Sequence, residues 1–309
     1  MAGRVEPGAR PAETKLWVAW LLLVVCTVFW AGSSIAGRAA AGQVPPMTMS
    51  FWRWAIALAV LLPMGLAPLR RDWRVIARHW PIMSLFGFLG VAGFTAPYYV
   101  GLQYTDAVNA TLLNATGPVL ILVCSLLLVG TPITLRQGGG IAVAMAGMIV
   151  ILLRGDASML SRLELNPGDL LVLASHLSWS VYTVALRWAP KGLDRMSFLV
   201  AMIALADLML LPPFLWELWT GARMELSVSN LSLIGYAAVF PSAIAYLLWN
   251  RAVPVVGANT AGAVQYLIPV FGVIGAVTLL GESLRLFHIV GVALIFAGVY
   301  VVSSRRPAG

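Results

Sequence analysis

Charge is what this 309-residue chain has least of: 10% of its residues are charged, against roughly a quarter in a soluble globular domain. A water-facing surface cannot be built from so little, and 60% hydrophobic residues with a mean hydropathy of +0.89 point to a polytopic membrane protein. Cysteine is almost absent. Cys26 and Cys124 lie 98 residues apart inside apolar runs, with neither a pairing pattern nor metal-type spacing, so both read as packing residues. No GxxxxGK[ST] loop occurs, and no long hydrophilic stretch could form a nucleotide-hydrolysing domain, which excludes ATP-driven work by this chain. HExxH, GxSxG and a facing pair of aspartates are missing too, and an intramembrane enzyme needs such a nucleophile–base pair, metal or acid dyad. Ser175 and His176 are adjacent in sequence, so on a helix they point about 100° apart.

What fills the chain is apolar sequence. Runs long enough for a hydrocarbon core of about 30 Å fall at 16–36, 48–68, 80–101, 107–129, 134–153, 168–188, 196–216, 231–250, 258–280 and 286–303. They predict an all-α membrane protein with ten transmembrane helices. Residues 1–14 and 304–309 are short, polar and rich in proline or glycine, and read as disordered tails. The first run follows Arg4, Arg10 and Lys15 as a signal peptide would, but cleavage would remove the partner of the sixth run, so it reads as a retained helix.

The partner relation is general, because the chain is written twice. Trp30 and Arg38 recur as Trp179 and Arg187 at an offset of 149, and Phe94 and Tyr98 as Ser242 and Tyr246 at 148. Ala107, Asn114, Pro118, Gly130, Gly140 and Gly147 recur at 151 as Ala258, Gln265, Pro269, Gly281, Gly291 and Gly298. Two five-helix repeats result, 15–153 and 168–303, joined by a loop at 154–167. Five is odd, so the second copy enters the bilayer from the opposite face. Inverted repeats of this kind build a central cavity near the midplane that can open to either side. Fourteen of the 20 basic residues fall on one face, in both tails, in the segments holding Arg70–Arg78 and Arg187–Arg195, and at Arg136 and Arg251. The positive-inside bias makes that face, with both termini, cytoplasmic. The net charge of +8 has the same origin, basic loops meeting anionic lipid, and requires no nucleic-acid partner.

Several motifs carry a resemblance. FWAGSSIAGR at 29–38, the proline pair 45–46 leading into FWRW at 51–54, and GANTAGAVQYLIPVFGVIGAVTLLGESLRLFHIVGVALIFAGVYVV at 257–302 resemble the EamA-type carriers of the drug/metabolite transporter superfamily. The first copy repeats the last pattern from Ala107 to Val150, with Thr131 where the second has Glu282. The resemblance covers nearly the whole chain. It implies a ten-helix carrier of a bacterial inner (plasma) membrane, without cofactor, commonly an exporter of metabolites or amino acids.

Polar and aromatic groups at membrane depth are costly unless they face a cavity or the bundle interior, and here they form matched stripes. Thr27, Trp30 and Ser34 share a helix face on the first run, and His176, Trp179 and Thr183 do so on the sixth. Phe94 and Tyr98 on the third answer to Ser242 and Tyr246 on the eighth. Asn114 and Gln265 each stand four residues before a helix-breaking proline, Pro118 or Pro269, which leaves a carbonyl free. These stripes predict a substrate site of Trp30, Ser34, Phe94, Tyr98, Asn114, His176, Trp179, Ser242, Tyr246 and Gln265. Each residue has a plainer alternative: interfacial belt for the tryptophans, interhelical bonds for the tyrosines and amides. His176 reads equally as a packing histidine or a proton site, and Asp207, the deepest carboxylate, as a packing partner or a relay for protons. Arg53 reads as a structural ion pair or a snorkelling head, Glu282 as a helix-terminal or gating contact, and Gly138–Gly140, Gly291 and Gly298 as close helix packing.

The expected lining is therefore aromatic and hydrogen-bonding, without fixed charge apart from His176. It suits small amphipathic solutes such as aromatic or hydrophobic amino acids and related metabolites, and among the family's members it looks most like the aromatic amino acid exporters. Exporters of drugs or quaternary cations are the rival reading, which needs a buried acid at the site.

Overall fold

The computed structural model describes residues 11–105, 107–154, 156, 166–280 and 283–303, and within these the side chains at 11–14, 34, 38, 107, 108, 111, 276, 279 and 280 are not described. Both ends of the chain, most of the 154–167 loop, Gly281 and Glu282 lie outside the described residues. Among those that are described there is no strand, and ten helical stretches are long and apolar enough to cross a membrane. In chain order the first five spans are Pro11–Ala40, Pro46–Arg78, Trp80–Gly101, the pair Ala107–Asn114 and Gly117–Val129, and Leu135–Leu152. The last five are Pro167–Trp188, Arg195–Trp219, Val228–Val256, the pair Ala258–Val264 and Leu267–Leu280, and Leu286–Ser303. Helix is what apolar sequence must form in lipid, where each backbone group needs a partner within its own segment. Local chemistry marks the ends. Pro46 and Pro167 sit in first turns that need no N–H, capping boxes at Thr134/Gln137 and Asn166/Asp169 start the fifth and sixth spans, and Gly130 ends the fourth with a left-handed φ of 70°.

The two repeats interlock. The second span packs on the seventh and the fifth on the tenth, while the first lies against the later half of the eighth and the sixth against the later half of the third. The fifth and tenth spans touch through glycine: a Cβ on Gly147 would stand 2.5 Å from the Gly291 carbonyl oxygen, and one on Gly140 2.8 Å from that of Gly298. Of the glycines at 138–140 only Gly140 packs this way, since Gly138 meets just Ile133 and nothing lies within 4 Å of a Cβ at Gly139.

The second and seventh spans are clamped at both ends by carboxylates. Glu217 accepts from the N–H groups of Met47 and Thr48 at 2.9 and 2.7 Å and from the Thr48 hydroxyl at 2.8 Å, while Asp72 accepts from the Asp194 N–H at 2.9 Å. A helix start leaves its first N–H groups unpaired, and here each helix supplies the cap for the other.

Two departures from α geometry go beyond the sequence reading. Phe88–Ala92 in the third span and Val239–Ile244 in the eighth are π turns, about 150 residues apart and so a feature of the repeat. Such turns displace carbonyls from the helical ladder, and the freed oxygens take donors from the opposite repeat. Tyr246 donates its hydroxyl to Gly90, Ser178 to Leu89 at 2.9 Å, and Trp30 donates Nε1–H to Pro241 at 3.1 Å.

Candidate functional site

The fourth span stops at Asn114 and resumes at Gly117; the ninth stops at Val264 and resumes at Leu267. Pro118 and Pro269 cause the breaks, because neither can donate to the carbonyl four residues back. The chain crosses each gap in tight turns, with Thr116 N–H on the Leu113 carbonyl at 3.0 Å and Tyr266 N–H on that of Ala263 at 3.2 Å. The two breaks meet, since the Tyr266 hydroxyl donates to the Ala115 carbonyl at 2.9 Å. Gly117 keeps the junction tight: a Cβ there would lie 3.3 Å from Cδ2 of His176 and 3.5 Å from Oε1 of Gln265.

A cavity of about 630 Å³ surrounds this junction, a volume that fits a small-molecule site. Its rings touch one another: Phe94 stacks on Tyr98 at 5.8 Å, Phe94 lies 5.6 Å from Trp179, and Trp30 meets Trp179 edge-on at 5.5 Å. Two amide side chains that border it each hold one unsatisfied atom. Among the described residues Oδ1 of Asn114 and Nε2 of Gln265 are buried with no hydrogen-bond partner, one an acceptor and the other a donor. His176 holds its Nδ1 2.9 Å from the Val172 carbonyl; a carbonyl only accepts, so Nδ1 is the donor there. Ile35 and Ala39 near the end of the first span, Tyr98 near the end of the third and Met148 near the end of the fifth also border the cavity. It therefore extends toward the face opposite the two chain ends. Toward the other face rings close it: Trp249 lies 5.0 Å from Trp30 and 5.4 Å from Trp179, Trp179 lies 5.2 Å from Tyr182, and Tyr182 donates to Asn250 Oδ1 at 2.8 Å.

Of the ten residues expected at the site, Trp30, Phe94, Tyr98, Asn114, His176, Trp179, Tyr246 and Gln265 border this cavity. Ser34 lies on the first helix, and its side chain is outside the described set. Ser242 stands behind the wall, fully buried, donating to the Ala237 carbonyl at 2.6 Å and accepting from Nε of Arg53. Asp207 is buried in the seventh span but does not border the cavity. The expected absence of fixed charge needs correction: Arg53 lines the cavity, 4% exposed, with NH1 on the Tyr99 hydroxyl at 2.8 Å. Neither plainer reading of Arg53 describes it. It is bound to hydroxyls of two other spans rather than reaching for the interface, and the ion pair among the described residues is Arg71–Asp72. Sequence offered a signal, because at the repeat offset of 149 Arg53 answers to Met202, which marks the cation as peculiar to one copy.

The model of the EamA-like transporter family matches this chain twice, over residues 17–153 and 166–304. The chain belongs to the EamA-like transporter family. Each match covers one five-helix repeat. Among its relatives, the uncharacterized transporter YyaM of Bacillus subtilis is 23% identical over 285 residues, covering 92% of this chain and 93% of the relative. A Streptantibioticus cattleyicolor protein named "Probable terminal-alkyne amino-acid exporter" is 28% identical over 292 residues, covering 94% and 95%. A protein of known crystal structure superposes with a TM-score of 0.74 at 20% identity, over 94% of this chain and 96% of that one, which shows a shared fold.

Proposed function

We propose that this EamA-family transporter exports small amphipathic metabolites, aromatic or hydrophobic amino acids foremost, across a bacterial inner membrane by alternating access. The observation that carries the reading is the cavity at the meeting of two broken helices, where aromatic rings surround an amide acceptor and an amide donor that no protein group satisfies. Rings offer a stacking surface to an aromatic or aliphatic side chain, and unpaired amides offer hydrogen bonds that only a ligand or water can complete. A cavity extending to one face and closed by rings toward the other is one half of an alternating cycle, and the interlocked repeats provide its mirror image. The amino-acid exporter among the relatives supports the substrate class. Flux follows the substrate gradient with little proton coupling, because His176 has no titratable counterpart in the first repeat and Asp207 stands off the cavity. The basic face and both termini are cytoplasmic. Export of quaternary cations is the weaker reading, since Asp207, the acid it would use, does not border the cavity.

Counterflow of radiolabelled L-phenylalanine in proteoliposomes tests the reading. Wild type is expected to exchange with the pH gradient collapsed, and Asn114→Ala or Gln265→Ala to exchange about tenfold or more slowly at normal folded yield, the loss of one or two hydrogen bonds to a charged ligand. Wild-type rates in both variants would put the site elsewhere, and exchange that stops without a pH gradient would restore a proton relay.

A further inference from the structure

We infer that Arg53 is the anionic subsite of the cavity, taking the substrate carboxylate and so selecting amphipathic carboxylates over ligands whose only charge is positive. This rests on the transport reading above and narrows it.

Arg53 sits seven residues beyond the start of its helix at Pro46, about 10 Å inward at 1.5 Å per residue. A guanidinium at that depth needs polar partners. Those it has are neutral. Nε donates to the Ser242 hydroxyl and NH1 to the Tyr99 hydroxyl at 2.8 Å, and a hydroxyl supplies no counter-charge. Ser242 spends its own proton on the Ala237 carbonyl at 2.6 Å, so a lone pair stays turned toward Nε. The faces of Trp54 and Tyr99, 5.4 and 5.9 Å from the guanidinium carbon, add cation–π attraction. Hydroxyls from the third and eighth spans thus fix the orientation of the cation without cancelling it. Two of its five N–H donors are used by these described partners, and the group borders the cavity. What remains is a planar fork of donors that a carboxylate takes two at a time. The same positive charge repels ammonium ligands lacking a carboxylate. An amino acid brings a carboxylate for Arg53 and an ammonium for the neutral polar and aromatic groups that border the same cavity.

The test uses the purified full chain in detergent and the ligand-induced rise of its thermal unfolding midpoint with four probes. L-phenylalanine and 3-phenylpropionate carry the carboxylate; L-phenylalaninamide and phenethylamine do not. Wild type is expected to bind the first two about tenfold or more tightly than the last two, the loss of a charged hydrogen-bonded pair. Arg53→Gln should erase that preference and Arg53→Lys should keep part of it. Phenethylamine binding as tightly as 3-phenylpropionate in wild type, a result that needs no variant to fold, overturns the assignment and leaves the amphipathic cavity standing. A preference unchanged in Arg53→Gln does the same. If none of the four binds, the transport reading falls together with the assignment.

Discussion

The two repeats are nearly alike in what holds the bundle together and unlike in what the cavity can recognise. Both carry a π turn, a proline-broken helix with an amide at the break, and two glycines that let its last helix press on that of the other copy. Charge and titratable chemistry are distributed one-sidedly: Arg53 answers to Met202, His176 to Thr27 and Asp207 to Leu58 at the offset of 149. The contrast has a physical basis. Inverted copies must exchange conformations for a cavity to open first to one face and then to the other, and that exchange asks for equivalent hinges and equivalent helix contacts. A ligand with a polar end has no such symmetry, so the cation proposed to meet it need stand in one copy alone.

If scaffold lies in the equivalent positions, their substitution should damage folding in either copy, and the largest effect belongs to the glycine contact. Gly147→Leu drives a side chain into the Gly291 backbone and should destabilise by about 3 kcal/mol. Gly139→Leu, with open space around it, should be nearly neutral. Monodisperse yield and thermal midpoint of the two variants decide, and equal behaviour would break the distinction between packing and non-packing glycines.

A smaller effect is expected at the carboxylate clamps. Glu217→Ala removes three hydrogen bonds from the start of the second span and should cost about 1–2 kcal/mol; Asp72→Ala, with one such bond at the start of the seventh, should cost about 1 kcal/mol or less. Thermal midpoints of both variants, with transport intact, would sharpen the account of a matched clamp. The reverse order would show that the two ends are not held alike.

Much of this was legible in the sequence because membrane helices are long, apolar and closed within themselves, so run length alone sets the number of spans. The repeat offset then matched Trp30 with Trp179 and Asn114 with Gln265 as groups expected around one cavity, and the prolines marked where two helices break. What stayed hidden depends on contacts between distant segments. Nothing in the surroundings of Arg53 along the chain says that Tyr99 and Ser242 will bind it, and a cation early in a span ordinarily reaches back to the interface. Ser242 shows the converse. It shares a stripe with Tyr246 but stands in a π turn, whose extra residue per turn rotates it off the cavity face. Glu217 and Asp72 give no local sign of their roles either, because each caps a helix more than a hundred residues away.

The central claim is that one cavity between the repeats holds the substrate and is open toward the face opposite the chain ends. Ser33 borders that cavity, while Cys26 and Cys124 are buried and should stay silent. The direct measurement is the rate at which a membrane-impermeant thiol reagent labels Ser33→Cys in intact cells, with and without L-phenylalanine. The account predicts labelling from outside that L-phenylalanine slows several-fold. No labelling from outside, or a rate indifferent to the amino acid, would contradict it.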